Sequence, residues 1–295
     1  MTTMTEPTTR TLEAPGATLT YDVRKTDSPA PVLVLIGSPM GAGGFVTLAS
    51  HFPDRTVVTY DPRGVERSVK ADPASLSTPE QHADDLHRII AKVMADSDAG
   101  PVELFASSGG AVNALALVAA HPEDVRTLVA HEPPLASILP DREGAMALTQ
   151  AISDTYQRNG FGPAMAQFIV AVSHNGPITL ELAAQPAPDP AMFGLPTEDD
   201  GTRTDPLLFQ NITTCTHYEP DFDTLGAAST RIVMAVGAES AGTMAHRGAE
   251  AAAERLGTDP VIFPSGHAGF LSGEYGQSGD PDGFAAKLRE VLAES

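Results

Sequence analysis

Cysteine, tryptophan and basic residues are scarce in this 295-residue chain, which has one cysteine and no tryptophan. The single thiol of Cys215 excludes an intramolecular disulfide and a zinc site built from several thiolates, and it indicates a reducing compartment. Only 18 lysines and arginines accompany 38 acidic residues, so the formal net charge is −20. This charge disfavours nucleic acids and anionic membranes as partners, because both would repel an acidic surface.

Long apolar runs are also missing, although 42% of the residues are hydrophobic, a normal share for a globular core. No run approaches the length of a membrane span. The threonine-rich start from Met1 to Arg10 lacks the apolar stretch of a signal peptide. We therefore expect a cytoplasmic protein that binds neither membranes nor nucleic acids, with a homodimer left open.

Apolar runs of strand length alternate with segments of helical periodicity in the first half of the chain. A hairpin is predicted over residues 9–14 and 17–24, with its turn at Pro15-Gly16. Further strands are predicted at 32–36, 56–60, 102–106 and 125–130, with helices at 78–94 and 109–121. Such alternation predicts a mainly parallel sheet with helices on both faces.

The pattern changes between Glu132 and about Leu225, where the sequence predicts helices and no strand. The helical stretches are near residues 141–159, 162–173 and 204–217. Strands return at 231–236 and 260–263, followed by helices at 241–256 and 281–293. A stretch this long between two strands of one sheet predicts a helical cap over residues 133–227, on a core of residues 1–132 and 228–295. A separate second domain is the alternative.

The turn Ala106-Ser107-Ser108-Gly109-Gly110 joins a predicted strand to an apolar helix. A serine at the centre of such a turn is held in a strained backbone, and only small neighbours fit beside it. Ser108 is therefore the candidate nucleophile, with Ala106 in place of the first glycine of the usual Gly-x-Ser-x-Gly pattern. The alternative is that Ser107 and Ser108 only cap the helix.

Four landmarks in order resemble the α/β-hydrolase family over nearly the whole chain. They are Gly37-Ser38-Pro39 after the third strand, the stretch from Asp61 to Ser68 after the fourth, the Ser108 turn after the fifth, and Ser265-Gly266-His267 after the eighth. The chain resembles uncharacterised bacterial serine hydrolases of this family that carry a lid. The resemblance implies an eight-stranded, mainly parallel sheet and acyl-enzyme chemistry at a triad of serine, acid and histidine.

His267 is the candidate base, because it follows the last strand and the fold uses the chain order serine, acid, histidine. The acid is open between two glutamates. In Gly237-Ala238-Glu239-Ser240, Ser240 stands where the family usually has aspartate, and Glu239 comes one residue too early. We favour Glu132, which directly follows the sixth strand, where some members of the family carry their acid.

An oxyanion formed at a substrate carbonyl needs two preorganised donors. The backbone N–H of Gly109, directly after the nucleophile, is one. The family places the second in the loop after the third strand, which implies Ser38, with Met40 as the less favoured choice. A phosphate cradle is the alternative for the glycines at 41–44, but no Gly-Lys-Ser/Thr sequence follows them.

These features predict an esterase-like serine hydrolase that cleaves a carboxylic ester, a thioester or a lactone in a small-molecule acyl substrate. Carbon–carbon bond hydrolysis and perhydrolysis on the same residues remain alternatives. A non-catalytic ligand-binding protein of the same fold is another, because the usual aspartate is missing at Ser240. No cofactor and no metal are expected, since the nine histidines match no metal-binding spacing. Four histidines on or beside helices are predicted to be solvated or capping residues: His51, His82, His87 and His121.

Overall fold

The computed structural model describes residues 6–97 and 99–294, so that the first half of the threonine-rich start lies outside the described residues. The strands are β1 Thr8–Ala14, β2 Ala17–Arg24, β3 Leu33–Ile36, β4 Val57–Asp61, β5 Val69–Lys70, β6 Val102–Ser107, β7 Val125–His131, β8 Arg231–Gly237 and β9 Val261–Phe263. The α-helices are α1 Val46–Ser50, α2 Pro79–Ser97, α3 Gly109–Ala120, α4 Arg142–Asn159, α5 Phe161–Ser173, α6 Leu180–Ala183, α7 Ile212–Thr214, α8 Phe222–Ala227, α9 Met244–Arg255 and α10 Pro281–Ala293.

The strands form one sheet in the order β1-β2-β4-β3-β6-β7-β8-β9, with β5 paired to β2. The β1–β2 and β2–β4 pairs are antiparallel, and every later neighbouring pair from β4 to β9 is parallel. The predicted α/β class with a mainly parallel sheet is therefore confirmed. The two-residue β5 adds a ninth strand to the eight predicted, because a strand that short has no periodicity to detect.

Helices cover both faces of the sheet and divide the core into two apolar layers. Leu104 of β6 packs in the layer that includes Leu115 of α3, whereas its neighbour Phe105 packs in the layer that includes Leu288 of α10. Successive strand residues face opposite sides of a sheet, so both faces of β6 are buried. This double burial explains why the central strands are continuous apolar runs.

Side chains cap the starts of α2 and α10. The Gln81 backbone N–H donates to Thr78 Oγ1 at 3.3 Å, and the Thr78 N–H donates to Gln81 Oε1 at 3.1 Å, which forms a capping box at the start of α2. At α10, Asp280 Oδ1 accepts from the Gly283 N–H at 3.0 Å, with Pro281 in the first helical position. These local contacts set where both helices begin.

The segment between β7 and β8 holds α4 to α8, and no strand occurs among its residues, all of which the structure describes. It has an apolar cluster of its own, which includes Ile152, Tyr156 and Leu208. The helix predicted over 204–217 is a π-helical turn at Pro206–Asn211 followed by α7. None of the helices in the described residues combines the length and apolar character needed to cross a membrane.

One histidine prediction is wrong. His82 of α2 is 2% exposed instead of solvated, and both of its ring nitrogens lack a hydrogen-bond partner among the described residues. Burial, together with the charges of Arg63 and Lys70, lowers the pKa of His82 to about 3. The side chain is therefore neutral in the folded protein at neutral pH.

Candidate active site

Ser108 lies in the turn between β6 and α3 with φ 57° and ψ −129°, a conformation that non-glycine residues rarely adopt. The turn is held by the Ser108 N–H, which donates to His131 O at 2.9 Å, and by the Ala111 N–H, which donates to Ser108 O at 2.9 Å. The Ser108 side chain makes no capping hydrogen bond to α3, which argues against the helix-cap alternative. The geometry matches a nucleophile elbow.

Small residues beside Ser108 are required by the space around the turn. A Cβ atom added at Gly109 would lie 2.5 Å from the backbone oxygen of Ser38, and one added at Gly110 would lie 2.7 Å from Gly37 Cα. Both approaches are too close for any side chain. The turn therefore contacts the loop after β3, and the two predicted oxyanion-hole residues, Ser38 and Gly109, lie on adjoining backbone segments.

Ser38 is also tied to the segment between β7 and β8. Its hydroxyl accepts a hydrogen bond from Asn211 Nδ2 at 2.8 Å, and both residues are buried. Sequence reasoning missed Asn211, because no local pattern distinguishes it and its partner lies far away in the chain. This hydrogen bond holds the loop after β3 against the inserted helices.

His267 and Glu132 meet as expected for a histidine and its acid. His267 Nδ1 lies 2.6 Å from Glu132 Oε2. The other oxygen, Oε1, accepts from the Gly237 backbone N–H at 2.8 Å and from the Ser240 hydroxyl. Burial raises the pKa of Glu132, but the hydrogen bond from His267, the neighbouring imidazoles and the Ser240 hydroxyl outweigh it and lower the pKa to about 2. Glu132 is therefore an oriented carboxylate at neutral pH.

Glu239, the other candidate acid, points elsewhere. Its side chain is exposed, and Glu239 Oε2 accepts a hydrogen bond from the Ser265 hydroxyl at 3.4 Å. It makes no hydrogen bond with His267, and both residues belong to the described part of the chain. The geometry thus favours Glu132 of the two.

Ser240 has a specific place in this arrangement. It is 6% exposed, its hydroxyl donates to Glu132 Oε1, and its Oγ lies 3.4 Å from His246 Nδ1. An aspartate at this position would put a second carboxylate against the buried Glu132, and two like charges so close disfavour each other's ionisation. The departure from the family pattern at Ser240 is therefore compatible with a triad whose acid is Glu132.

A second imidazole, that of His131, lies behind the pair. Its ring centroid is 5.9 Å from that of His267, and its Nδ1 lies 3.3 Å from the Ser107 hydroxyl. Burial lowers the pKa of His131 to about 4, so the ring is neutral at neutral pH. A neutral ring here adds no positive charge that would compete with His267 for Glu132.

The site is only partly covered. Ser108 is half-buried and the His267 side chain is 45% exposed, although Cys215 Sγ would lie only 3.2 Å from a Cβ at Gly109. The inserted segment therefore reaches the turn without closing over His267. A groove of about 780 Å³ between α9 and the start of the inserted segment includes neither Ser108 nor His267 in its lining.

Two groups of side chains in the described residues bring potential metal ligands within 4.8 Å of one another. One is His131, Glu132 and His267, in which both oxygens of Glu132 already accept hydrogen bonds. The other, His87, His121 and Asp124, lies apart from Ser108 and includes two histidines that the sequence placed on separate helices.

Comparisons with known proteins agree with this fold. A family model for the α/β hydrolase fold matches residues 30–218. The uncharacterized hydrolase YraK of Bacillus subtilis (strain 168) is 31% identical over 274 residues, which cover 88% of this chain and 89% of the relative.

Two solved structures share the architecture. A thermophilic esterase from Thermogutta terrifontis is 18% identical, with a TM-score of 0.65 over 98% of both chains. The enol-lactonase from Burkholderia xenovorans LB400 is 17% identical, with a TM-score of 0.64 over 96% of this chain and 100% of the other. At these identities the two structures establish the fold only. The family model and the Bacillus subtilis relative match this chain in sequence as well. The chain therefore belongs to the α/β-hydrolase fold family, and these matches support a hydrolase.

Proposed function

We propose that this hydrolase cleaves a carboxylic ester, a thioester or a lactone, with Ser108 as nucleophile, His267 as base and Glu132 as acid. The observation that carries the proposal is the 2.6 Å contact between His267 Nδ1 and the buried Glu132 carboxylate, at the sheet edge where Ser108 holds an elbow conformation. A hydroxyl is a weak nucleophile at neutral pH and needs such a base beside it.

The proposed reaction proceeds in two halves. His267 accepts the Ser108 proton as the hydroxyl oxygen bonds to the acyl carbon, and Glu132 stabilises the resulting imidazolium. The backbone N–H groups of Gly109 and Ser38 donate to the oxyanion. The intermediate then collapses, the leaving alcohol or thiol takes the proton from His267, and an acyl-enzyme remains. Water then bonds to the acyl carbon as His267 takes its proton, and His267 passes that proton to the Ser108 oxygen as the carboxylic acid is released.

We further propose that residues 133–227 act as a cap that shapes the substrate site. The support is the hydrogen bond from Asn211 to Ser38 and the approach of Cys215 to Gly109, which bring this segment against both oxyanion-hole residues. Because the His267 side chain is 45% exposed, such a cap leaves an open entrance to the site.

A fluorophosphonate probe tests the proposal, because it reacts covalently with an activated serine. We expect labelling of the wild-type protein and of Ser107→Ala, with the adduct on Ser108 by mass spectrometry, and none of Ser108→Ala. A panel of p-nitrophenyl esters of increasing acyl length would then define the substrate class. A folded wild-type protein that neither reacts with the probe nor hydrolyses any ester would favour the non-catalytic alternative.

A further inference from the structure

Two histidines and a buried aspartate meet at the edge of the sheet opposite to Ser108. They are His87 in α2, His121 directly after α3, and Asp124 directly before β7. One potential ligand atom from each lies within 4.8 Å of the others. Because Glu132 follows the carboxyl end of β7 and Asp124 precedes its amino end, this group is separate from the proposed triad.

The three side chains contact one another. His87 Nδ1 lies 2.6 Å from Asp124 Oδ2, and the rings of His87 and His121 stack with centroids 3.8 Å apart and planes 11° apart. The Asp124 side chain is 7% exposed, whereas those of His87 and His121 are 32% and 30% exposed. A buried carboxylate thus anchors one side, and the imidazoles leave the other side open to solvent.

Two of the three residues are held in one rigid turn. The Asp124 N–H donates to the carbonyl of His121 at 3.1 Å, and the Asp124 carbonyl accepts from the Val102 N–H at 2.9 Å. The Glu123 carboxylate between them lies 3.5 Å from His121 Nδ1. Carboxylates beside metal-binding histidines commonly orient the imidazole, and Glu123 is placed to do so for His121.

We propose that His87, His121 and Asp124 bind a divalent transition-metal ion, with Zn²⁺ the best match. Imidazole nitrogen and carboxylate oxygen are zinc ligands, and three of them with a water complete a tetrahedral site. Zinc ligand atoms stand about 3.4 Å apart, so His87 Nδ1 and Asp124 Oδ2, now 2.6 Å apart, must move apart slightly. A pair at the 4.8 Å limit must close by roughly 1.4 Å. Rotation of the half-exposed imidazoles can supply this. Mg²⁺ and Ca²⁺ fit poorly, because they prefer oxygen ligands only.

The bound ion would join α2 to the turn that leads into β7. A ligand that binds only the folded state raises the stability of that state. The net charge of −20 on the chain also favours the binding of any cation. We therefore expect a structural effect and no direct part in the chemistry at Ser108.

Zinc binding is measured by equilibrium dialysis. Its effect on stability is measured by comparing the thermal midpoint of the metal-free protein before and after Zn²⁺ is added. We expect one zinc ion per chain and a rise of about 5 °C at a concentration roughly 100 times Kd. His121→Gln and Asp124→Asn should each lose the bound ion and the rise. His51→Gln is the matched control, since His51 is also partly exposed and has a single carboxylate neighbour, Asp282, at 3.6 Å.

The variant His267→Gln distinguishes the proposed site from the other group of potential ligands, at Glu132. This variant should still bind zinc and be stabilised by it. Binding that His267→Gln abolishes and His121→Gln retains would place the ion at the proposed triad and overturn the inference. A wild-type midpoint unaffected by zinc would overturn it as well, as would equal losses in His51→Gln and His121→Gln. The metal-free midpoint of His121→Gln shows whether that variant is folded.

Discussion

Replacing Glu132 by glutamine tests the proposed triad most directly, because glutamine keeps the shape of the side chain and removes its charge. Glu132 is fully buried, and its Oε2 lies 2.6 Å from His267 Nδ1. Although burial raises the pKa of Glu132, its hydrogen bonds and the neighbouring imidazoles lower it to about 2. The carboxylate is therefore charged at neutral pH. In the proposed mechanism this charge stabilises the His267 imidazolium, and the substitution removes that stabilisation.

The magnitude follows from the distance. Two unit charges 2.6 Å apart attract by about 6 kcal/mol at an effective dielectric constant of about 20. Since the His267 side chain is 45% exposed, solvent screens part of this attraction, and we take about 4 kcal/mol as its share in the transition state. A loss of that size lowers kcat by about 10³-fold.

The assay is kcat for a short-chain p-nitrophenyl ester, with the thermal midpoint as a check on folding. Glu239→Gln is the matched control, because it makes the same change in an exposed carboxylate that contacts Ser265 instead of His267. We expect its kcat to stay within about twofold of wild type. The reasoning is refuted if folded Glu132→Gln keeps more than about a tenth of kcat, or if Glu239→Gln loses more than Glu132→Gln.

Three further predictions follow from the structure. Ser108→Ala should lower kcat by several orders of magnitude and Ser107→Ala far less; equal losses would contradict the proposed nucleophile. Ser240→Ala removes one hydrogen bond to Glu132 and should lower kcat about fivefold, whereas Ser240→Asp should lower it further; a gain of activity in Ser240→Asp would argue against Glu132 as the acid. The unfolded chain protonates histidine near pH 6.5, well above the pKa of about 3 for folded His82. Acid should therefore destabilise the protein as pH falls from about 6.5 toward 3. Between about pH 7 and pH 4.5, the free energy of unfolding measured with urea should fall by about 2.5 kcal/mol less in His82→Leu than in wild type. An unchanged pH dependence would contradict this.

Local sequence patterns were sufficient to predict most strands and helices, because their signals span only a few residues. The capping pair Thr78 and Gln81 marks the start of α2, and the small residues around Ser108 mark the turn between β6 and α3. The order of these elements was enough to predict a mainly parallel sheet, since strands joined by helices pair in parallel.

The site depends on contacts that no local pattern contains. Sequence order left Glu132 and Glu239 both open, and the choice between them follows from which carboxylate lies beside His267 once β7 and β8 are neighbours. The hydrogen bond between Asn211 and Ser38 was not predictable for the same reason.

Burial shows the same limit. His82 shares its helix with solvated residues, yet it is buried, because the face that a helical residue presents to the core depends on what packs against it. Sequence by itself determined the elements, their order and the residue types available for chemistry in this protein. Only the tertiary structure decided which carboxylate meets which imidazole, because hydrogen bonds and charge interactions act over a few ångströms in space regardless of distance along the chain.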